Sequence, residues 1–189
     1  IVAADDVLWF VGGFGEDDVI EETVRAVGAV SRALVGTRPG DVIGVRGPFG
    51  SAWELDGARG GDVVMVAGGV GLVPLRPAVL EALDRIDDFR RVAVVVGART
   101  PDDLLFRDQL DEWAARPGVQ VVTTVDHGDR AWHGHVGVVT EVLDRVDLDP
   151  ASTVALVCGP EIMMRFTTQA LEGLGVPPSA VQVSLERNM

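Results

Sequence analysis

Beyond about Asp62 the chain alternates between continuous apolar runs and segments whose apolar residues recur every three or four positions. Val63-Val-Met-Val-Ala67 and Val92-Ala-Val-Val-Val96 have the length and composition of strands buried on both faces. Val119-Gln-Val-Val-Thr-Thr-Val125, Thr153-Val-Ala-Leu-Val-Cys158 and Val181-Gln-Val-Ser-Leu185 complete a set of five predicted strands. Leu72, Leu75, Val79 and Leu83 share one face of a predicted helix, with Pro74 and Pro77 confined to its early turns. Thr100-Pro-Asp-Asp103 opens a second helix with a capping hydroxyl, a proline at the first position and acids near the positive end. Its inner face is predicted to be Phe106, Leu110 and Trp113. A third, shorter helix is predicted over Val136–Val146, and a fourth starts at Gly159-Pro160 and carries Met163, Phe166, Ala170 and Leu174. Such alternation implies an α/β fold, an open parallel five-stranded sheet with helices on both faces.

The pattern before residue 59 is different. Val7–Val11 is a short apolar run, Glu22–Gly28 alternates polar and apolar residues, and Val42–Val45 follows the turn signal Arg38-Pro-Gly-Asp41. Gly47-Pro-Phe-Gly50 then reads as a tight loop. These short extended pieces predict a partial antiparallel β-barrel over residues 1–58, ahead of an α/β domain over 59–189.

Composition narrows the function. Sixteen basic against 29 acidic side chains leave a formal charge of −13, which opposes binding to nucleic acid. One cysteine cannot form an internal disulfide and fits a reducing, cytoplasmic setting. Hydrophobic residues make up 47% of the chain, enough for a core and too many for disorder. No uninterrupted apolar run approaches the roughly 18 residues of a membrane span, so membrane insertion is not expected. The start, Ile-Val-Ala-Ala-Asp-Asp, lacks the basic and apolar segments of a signal peptide.

Open α/β sheets bind ligands beyond the carboxyl ends of their strands, which directs attention to three loops. The first predicted strand runs into Gly68-Gly-Val-Gly71, where glycines permit a tight turn and close approach of a diphosphate, and the following helix offers its positive end. The spacing is not that of the common dinucleotide fingerprint, and a plain strand-to-helix turn is the alternative. The second strand ends at Gly97-Ala-Arg-Thr100, where Arg99 suits a ribose phosphate or an adenine ring, or is an ordinary surface arginine. The fourth ends at Cys158-Gly-Pro-Glu161, a cysteine beside a helix N-terminus for which packing or ring positioning is preferred to nucleophilic attack. His127, His133 and His135 match no strong zinc spacing and read as part of a solvated loop, so no metal site is assigned.

Taken in order, Gly47-Pro-Phe-Gly50, Val66-Ala-Gly-Gly-Val-Gly-Leu-Val-Pro-Leu-Arg76, Gly97-Ala-Arg-Thr100 and Val157-Cys-Gly-Pro-Glu-Ile-Met-Met-Arg165 resemble the ferredoxin–NADP reductase-like proteins. Within them the chain is similar to the FAD/NAD(P)-binding gamma subunit of cytoplasmic nickel–iron hydrogenases (sulfhydrogenases), and next to the dihydroorotate dehydrogenase electron-transfer subunit. The closing Ser184-Leu-Glu-Arg-Asn-Met189 belongs to the same neighbourhood.

The resemblance implies that Gly68, Gly69 and Gly71 hold the diphosphate of NAD(P), that Pro74 shapes the helix entry, and that Gly97 and Arg99 face the adenosine end. It places Cys158, the candidate catalytic residue, with Gly159, Pro160 and Glu161 near the nicotinamide. It assigns Arg25, Val27, Gly28 and Ser31, together with Gly47, Pro48 and Gly50, to the side that binds FAD. The implied role is an electron-transfer subunit that passes hydride between NAD(P)H and FAD and feeds iron–sulfur partner subunits, of a hydrogenase in the first instance. The alternatives are the dihydroorotate-linked subunit and a nucleotide-binding structural subunit without flavin. Two departures accompany the resemblance: the family's flavin strand, Arg-x-Tyr-[Ser/Thr] or a Pro-x-Ser-x-Ser variant, has no counterpart in a chain without tyrosine whose Phe14–Thr23 stretch crosses its place, and Met189 precedes the cysteine-rich 2Fe–2S segment, which is expected only in a longer form.

Overall fold

The computed structural model describes residues 8–11, 21–45 and 51–184. The chain divides into two compact units, Ile1–Trp53 with Glu186–Met189, and Glu54–Leu185.

In the first unit, β1 (Leu8–Val11) pairs antiparallel with β2 (Glu21–Val24), Leu8 opposite Val24 and Val11 opposite Glu21. The alternation read through Gly28 therefore ends as a strand at Val24, and α1 (Ala29–Val35) follows, a helix the pattern did not predict. Ser31 starts that helix: its fully buried Oγ accepts the N–H groups of Val27 and Gly28, both at 3.0 Å. Two donors that a helix start leaves unpaired are thereby satisfied. The expected strand at Val42–Val45 is absent; these residues carry no ladder, and Val42 is 97% exposed. Apolar content alone does not make a strand where no neighbour offers hydrogen bonds. Among the described residues this unit is a two-stranded ladder and one helix, and the predicted partial barrel is not seen.

The second unit is the α/β domain. Its elements are β3 (Asp62–Gly68), α2 (Leu72–Asp84), β4 (Arg91–Ala98), α3 (Arg107–Ala114), β5 (Val119–Val125), β6 (His135–Val136), β7 (Thr153–Cys158), α4 (Glu161–Leu174) and β8 (Val181–Val183). Glu54–Ala58 packs with this unit, with Leu55 and Ala58 buried and the Gln182 amide bonding both the N–H and the C=O of Glu54, at 2.9 and 2.7 Å. All strands are parallel in the order β6-β5-β4-β3-β7-β8. The sheet thus has six strands, not five. The sixth comes from the segment expected to begin the third helix. His135–Val136 pairs with Thr124–Val125, Gly137 N–H bonds Val125 O at 2.8 Å, and only Val139–Arg145 is helical, as 3-10 turns. β-Branched Val136, Val138, Val139 and Thr140 lose side-chain freedom in a helix and suit an extended sheet edge.

The central strands β3, β4 and β7 are buried almost throughout, as continuous apolar runs require. Val64, Val66, Ala93, Val95, Ala155 and Val157 point to one face, under Val139, Val142, Leu143, Met164 and Leu171. Alternate residues face α2, whose Leu72, Leu75, Val79 and Leu83 are all buried as predicted. Each such side chain taken from water contributes roughly 1.5–3 kcal/mol.

The fourth helix forms as predicted, and only some of the apolar residues named on it are turned to the core. Met164, Thr167 and Leu171 are buried, Met163 and Ala170 pack partly against the core, and Phe166 and Leu174 are half exposed. Two neighbouring stripes both have helical spacing, and only packing against the sheet selects between them. In α3, Leu110 and Trp113 are buried while Phe106 is partly exposed; Phe106 adopts φ 54° at the helix entrance, with the Arg76 guanidinium 5.1 Å over its ring.

Candidate functional site

Register brings the loop-forming ends of the strands into one row. Gly68 lies beside Gly97, Gly97 beside Thr124, and Ala67 beside Cys158. The chain winds outward from β3 through β4 and β5 to β6, then returns to β7 on the opposite side of β3. The loops after β3 and β7 consequently lie on either side of the point where the strand order reverses, the position where open α/β sheets hold ligands. Gly68–Gly71 forms one wall and Cys158–Pro160 the other.

The three glycines of the first wall do different work. A Cβ at Gly71 would meet the carbonyl of Cys158, with the carbonyl carbon 2.6 Å away, and Gly159 N at 2.8 Å. Gly71 is therefore a packing glycine that lets the start of α2 lie against the end of β7. A Cβ at Gly68 would lie 2.6 Å from Met163 Sδ and 3.1 Å from Pro160 Cδ. Gly69 alone has φ +54° and nothing within 4 Å of where its side chain would begin. At Gly69 the backbone itself is the surface offered to a ligand, with the positive end of the thirteen-residue α2 immediately after it. This cradle fits a phosphate-bearing group. Pro74 is partly buried in the first turn of α2.

Arg99 follows β4 directly and is exposed, and its carbonyl accepts the His127 N–H at 2.8 Å, which fixes the backbone beneath the side chain. Among the described residues its guanidinium makes no ion pair. An exposed cation at this end of the row can meet a phosphate or stack on a base. Gly97 is tight, its would-be Cβ 3.2 Å from Val139 Cβ.

Cys158 is 1% exposed at the end of β7. A thiol so buried is a packing group rather than an accessible nucleophile. Glu161 is the first residue of α4 and, like Pro160, exposed. Of the residues expected on a flavin side, Arg25 and Val27 are exposed, and Ser31 is engaged in starting α1. Gly47, Pro48 and Gly50 lie outside the described residues.

The histidines are not gathered. His135 Nδ1 lies 3.0 Å from Thr124 Oγ1, whose hydroxyl donates to Gly137 O at 2.6 Å, while His127 and His133 are exposed. No group of three or more potential metal ligands forms among the described residues. A surface cavity of about 500 Å³, lined by Leu83, Phe89 and Pro117 among others, lies at the opposite end of the strands and shares no residue with the row. Sequence reasoning did not place Met163 beside these turns, where its Sδ lies 2.6 Å from the position of a Cβ added at either Gly68 or Gly159; a methionine on an amphipathic helix carries no signal that distinguishes such a place from the core.

A parallel sheet with a glycine cradle at its switch point defines the class of nucleotide-binding α/β domains. The chain belongs to the oxidoreductase NAD-binding domain family, whose model matches residues 65–169. It is 27% identical to the sulfhydrogenase 2 subunit gamma of Pyrococcus furiosus over 95% of this chain and 69% of that protein. It is 37% identical to the probable dihydroorotate dehydrogenase B electron transfer subunit of Methanothermobacter thermautotrophicus over 88% of this chain, but spans only 56% of that relative. Among solved structures, an NADH-dependent reduced ferredoxin-NADP oxidoreductase, described in connection with flavin-based electron bifurcation, superposes with a TM-score of 0.72 at 31% identity, covering 92% of this chain and 58% of that one. No helix among the described residues is long and apolar enough to cross a membrane.

Proposed function

We propose that this chain is an electron-transfer subunit that passes hydride between NAD(P)H and FAD and relays electrons to iron–sulfur subunits of a nickel–iron hydrogenase in the cytoplasm. The observation that carries the reading is the single row formed by the Gly69 cradle, Arg99 and the Cys158–Pro160 turn, within a family defined by NAD binding. Gly69 receives the diphosphate, with Gly68, Gly71 and Pro74 holding its turn in place. Arg99 and Gly97 form the adenosine end, and Cys158, Gly159, Pro160 and Glu161 border the nicotinamide end, where Cys158 shapes the pocket rather than attacking. Arg25, Val27, Gly28 and Ser31, with Gly47, Pro48 and Gly50, make the flavin side. A bound flavin accepts electrons in pairs and releases them singly, which links a nicotinamide to one-electron carriers.

An absorbance titration of the purified chain with FAD, followed by NAD(P)H, tests this. A perturbed flavin band that bleaches on adding the nicotinamide is expected. Nicotinamide binding without flavin binding would leave a structural nucleotide-binding subunit instead. The 37% identity to a dihydroorotate dehydrogenase B subunit supports a second reading, in which the partner is a dihydroorotate-oxidising subunit. Co-purification against each partner separates the two. For coenzyme choice, Arg99→Ala is expected to weaken NADPH more than NADH in paired dissociation constants; equal loss would assign Arg99 to stacking.

A further inference from the structure

We propose that Met163 is a positioning residue for the coenzyme crevice, its thioether setting the distance between the Gly68–Gly71 wall and the Cys158–Pro160 wall. The inference rests on the NAD(P) reading above. A Cβ at Gly68 and a Cβ at Gly159 would each lie 2.6 Å from the same Met163 Sδ, so one sulfur is packed against both turns. The turns lie close together, so that a Cβ added at Gly159 would come 3.0 Å from Gly68 N and one added at Gly68 would come 3.1 Å from Pro160 Cδ. Met163 sits in the first turn of α4 and is partly buried against the core beneath that helix. Its sulfur is thus anchored from below while it faces the two walls. An unbranched, polarizable side chain with three rotatable bonds suits an irregular gap between two backbones. Both walls are glycine where the sulfur lies against them, so neither wall has a side chain of its own at that point to keep the spacing.

A dinucleotide must reach from the Gly69 cradle to the Cys158 turn, whereas its adenosine half needs only the end of β4. Altering the spacer therefore penalises the whole coenzyme and spares the half. The experiment measures dissociation constants of NADH, NADPH and AMP for the full chain and for Met163→Ala, Met163→Leu and Met163→Phe. Met163→Ala, which removes the spacer, and Met163→Phe, which overfills it, are each expected to weaken the better of the two coenzymes about tenfold, a size consistent with misplacement by a fraction of an ångström. AMP affinity is expected to change less than about twofold, and Met163→Leu, close in volume, to stay within about threefold of the parent. An unchanged ratio of coenzyme to AMP affinity in both Ala and Phe variants overturns the proposal. Amide hydrogen exchange of residues 68–72 and 159–162 gives a reading independent of any ligand. Faster exchange in both turns of the Ala variant supports the spacer role, and unchanged exchange rejects it. Failure of the parent chain to bind either coenzyme would instead reject the NAD(P) reading, with the exchange result still deciding the role of Met163.

Discussion

Gly69 and Gly71 are two positions apart and ask for glycine on different grounds. At Gly71 the missing side chain makes room for the Cys158–Gly159 backbone, so a methyl there must push β7 and α2 apart. At Gly69 the space is open, and glycine is needed for φ +54° and for a bare backbone facing the crevice. Gly71→Ala is accordingly expected to lower stability by about 2–3 kcal/mol, the scale of overpacking in a rigid core. Gly69→Ala should cost only about 1 kcal/mol, the cost of a left-handed alanine, yet weaken NAD(P)H binding about tenfold or more. Denaturant melts and coenzyme titrations on the two variants check the split. Equal stability losses would mean that the two glycines share one role. A larger residue at Gly71 is a stability probe, and any binding it loses is a consequence of displaced elements.

Among the elements, β3 is held at both ends by different means. At its carboxyl end the glycine turns interlock; at its start the fully buried Asp62 carboxylate accepts a hydrogen bond from Arg90 Nη2 and another from Asp149 N–H at 2.6 Å. Asp62 thereby ties β3 to the approach to β4 and to the loop that precedes β7. Replacing it with alanine leaves the Asp149 N–H unanswered and takes the carboxylate away from the Arg90 guanidinium. The expected cost is about 2 kcal/mol, below that of a fully buried pair because Arg90 is 43% exposed. Urea melts of Asp62→Ala measure it, with coenzyme affinity expected to hold because Asp62 lies at the far end of the strand. The same scale explains the third predicted helix. Its segment contains apolar residues at helical intervals, but a β5 edge with free hydrogen-bonding groups captured His135–Val136 and left only 3-10 turns behind.

For the molecule as a whole, acidity sets the pH response. Arg85 gathers Asp56 at 2.6 Å, Glu81 at 2.6 Å and Asp88 at 3.0 Å, joining the start of the α/β unit to the end of α2. The hydrogen bond and charge of Arg85, then the charge of Arg59, hold the Asp56 carboxyl below its ordinary value of 3.8. A carboxyl whose folded pKa is depressed binds protons more tightly in the unfolded chain. Its stabilisation is present above 3.8 and disappears as pH falls through the lower folded value. Unfolding free energy is therefore expected to drop at that acid edge, and Asp56→Asn to flatten this part of the profile; high solvent exposure of Asp56 keeps the effect small and salt reduces it further. A profile of Asp56→Asn that parallels the parent would assign the acid edge to other carboxylates. By itself the sequence determined the α/β class, the five main strands and the glycine, arginine and cysteine turns at their ends, because continuous apolar runs, helical spacing and turn residues are local signals. Tertiary structure alone decided the sixth strand, the buried face of α4, which glycine faces open space and which is filled by backbone, and the place of Met163 between two turns. Each of these depends on what lies across from a residue rather than beside it, and a linear pattern records only the latter.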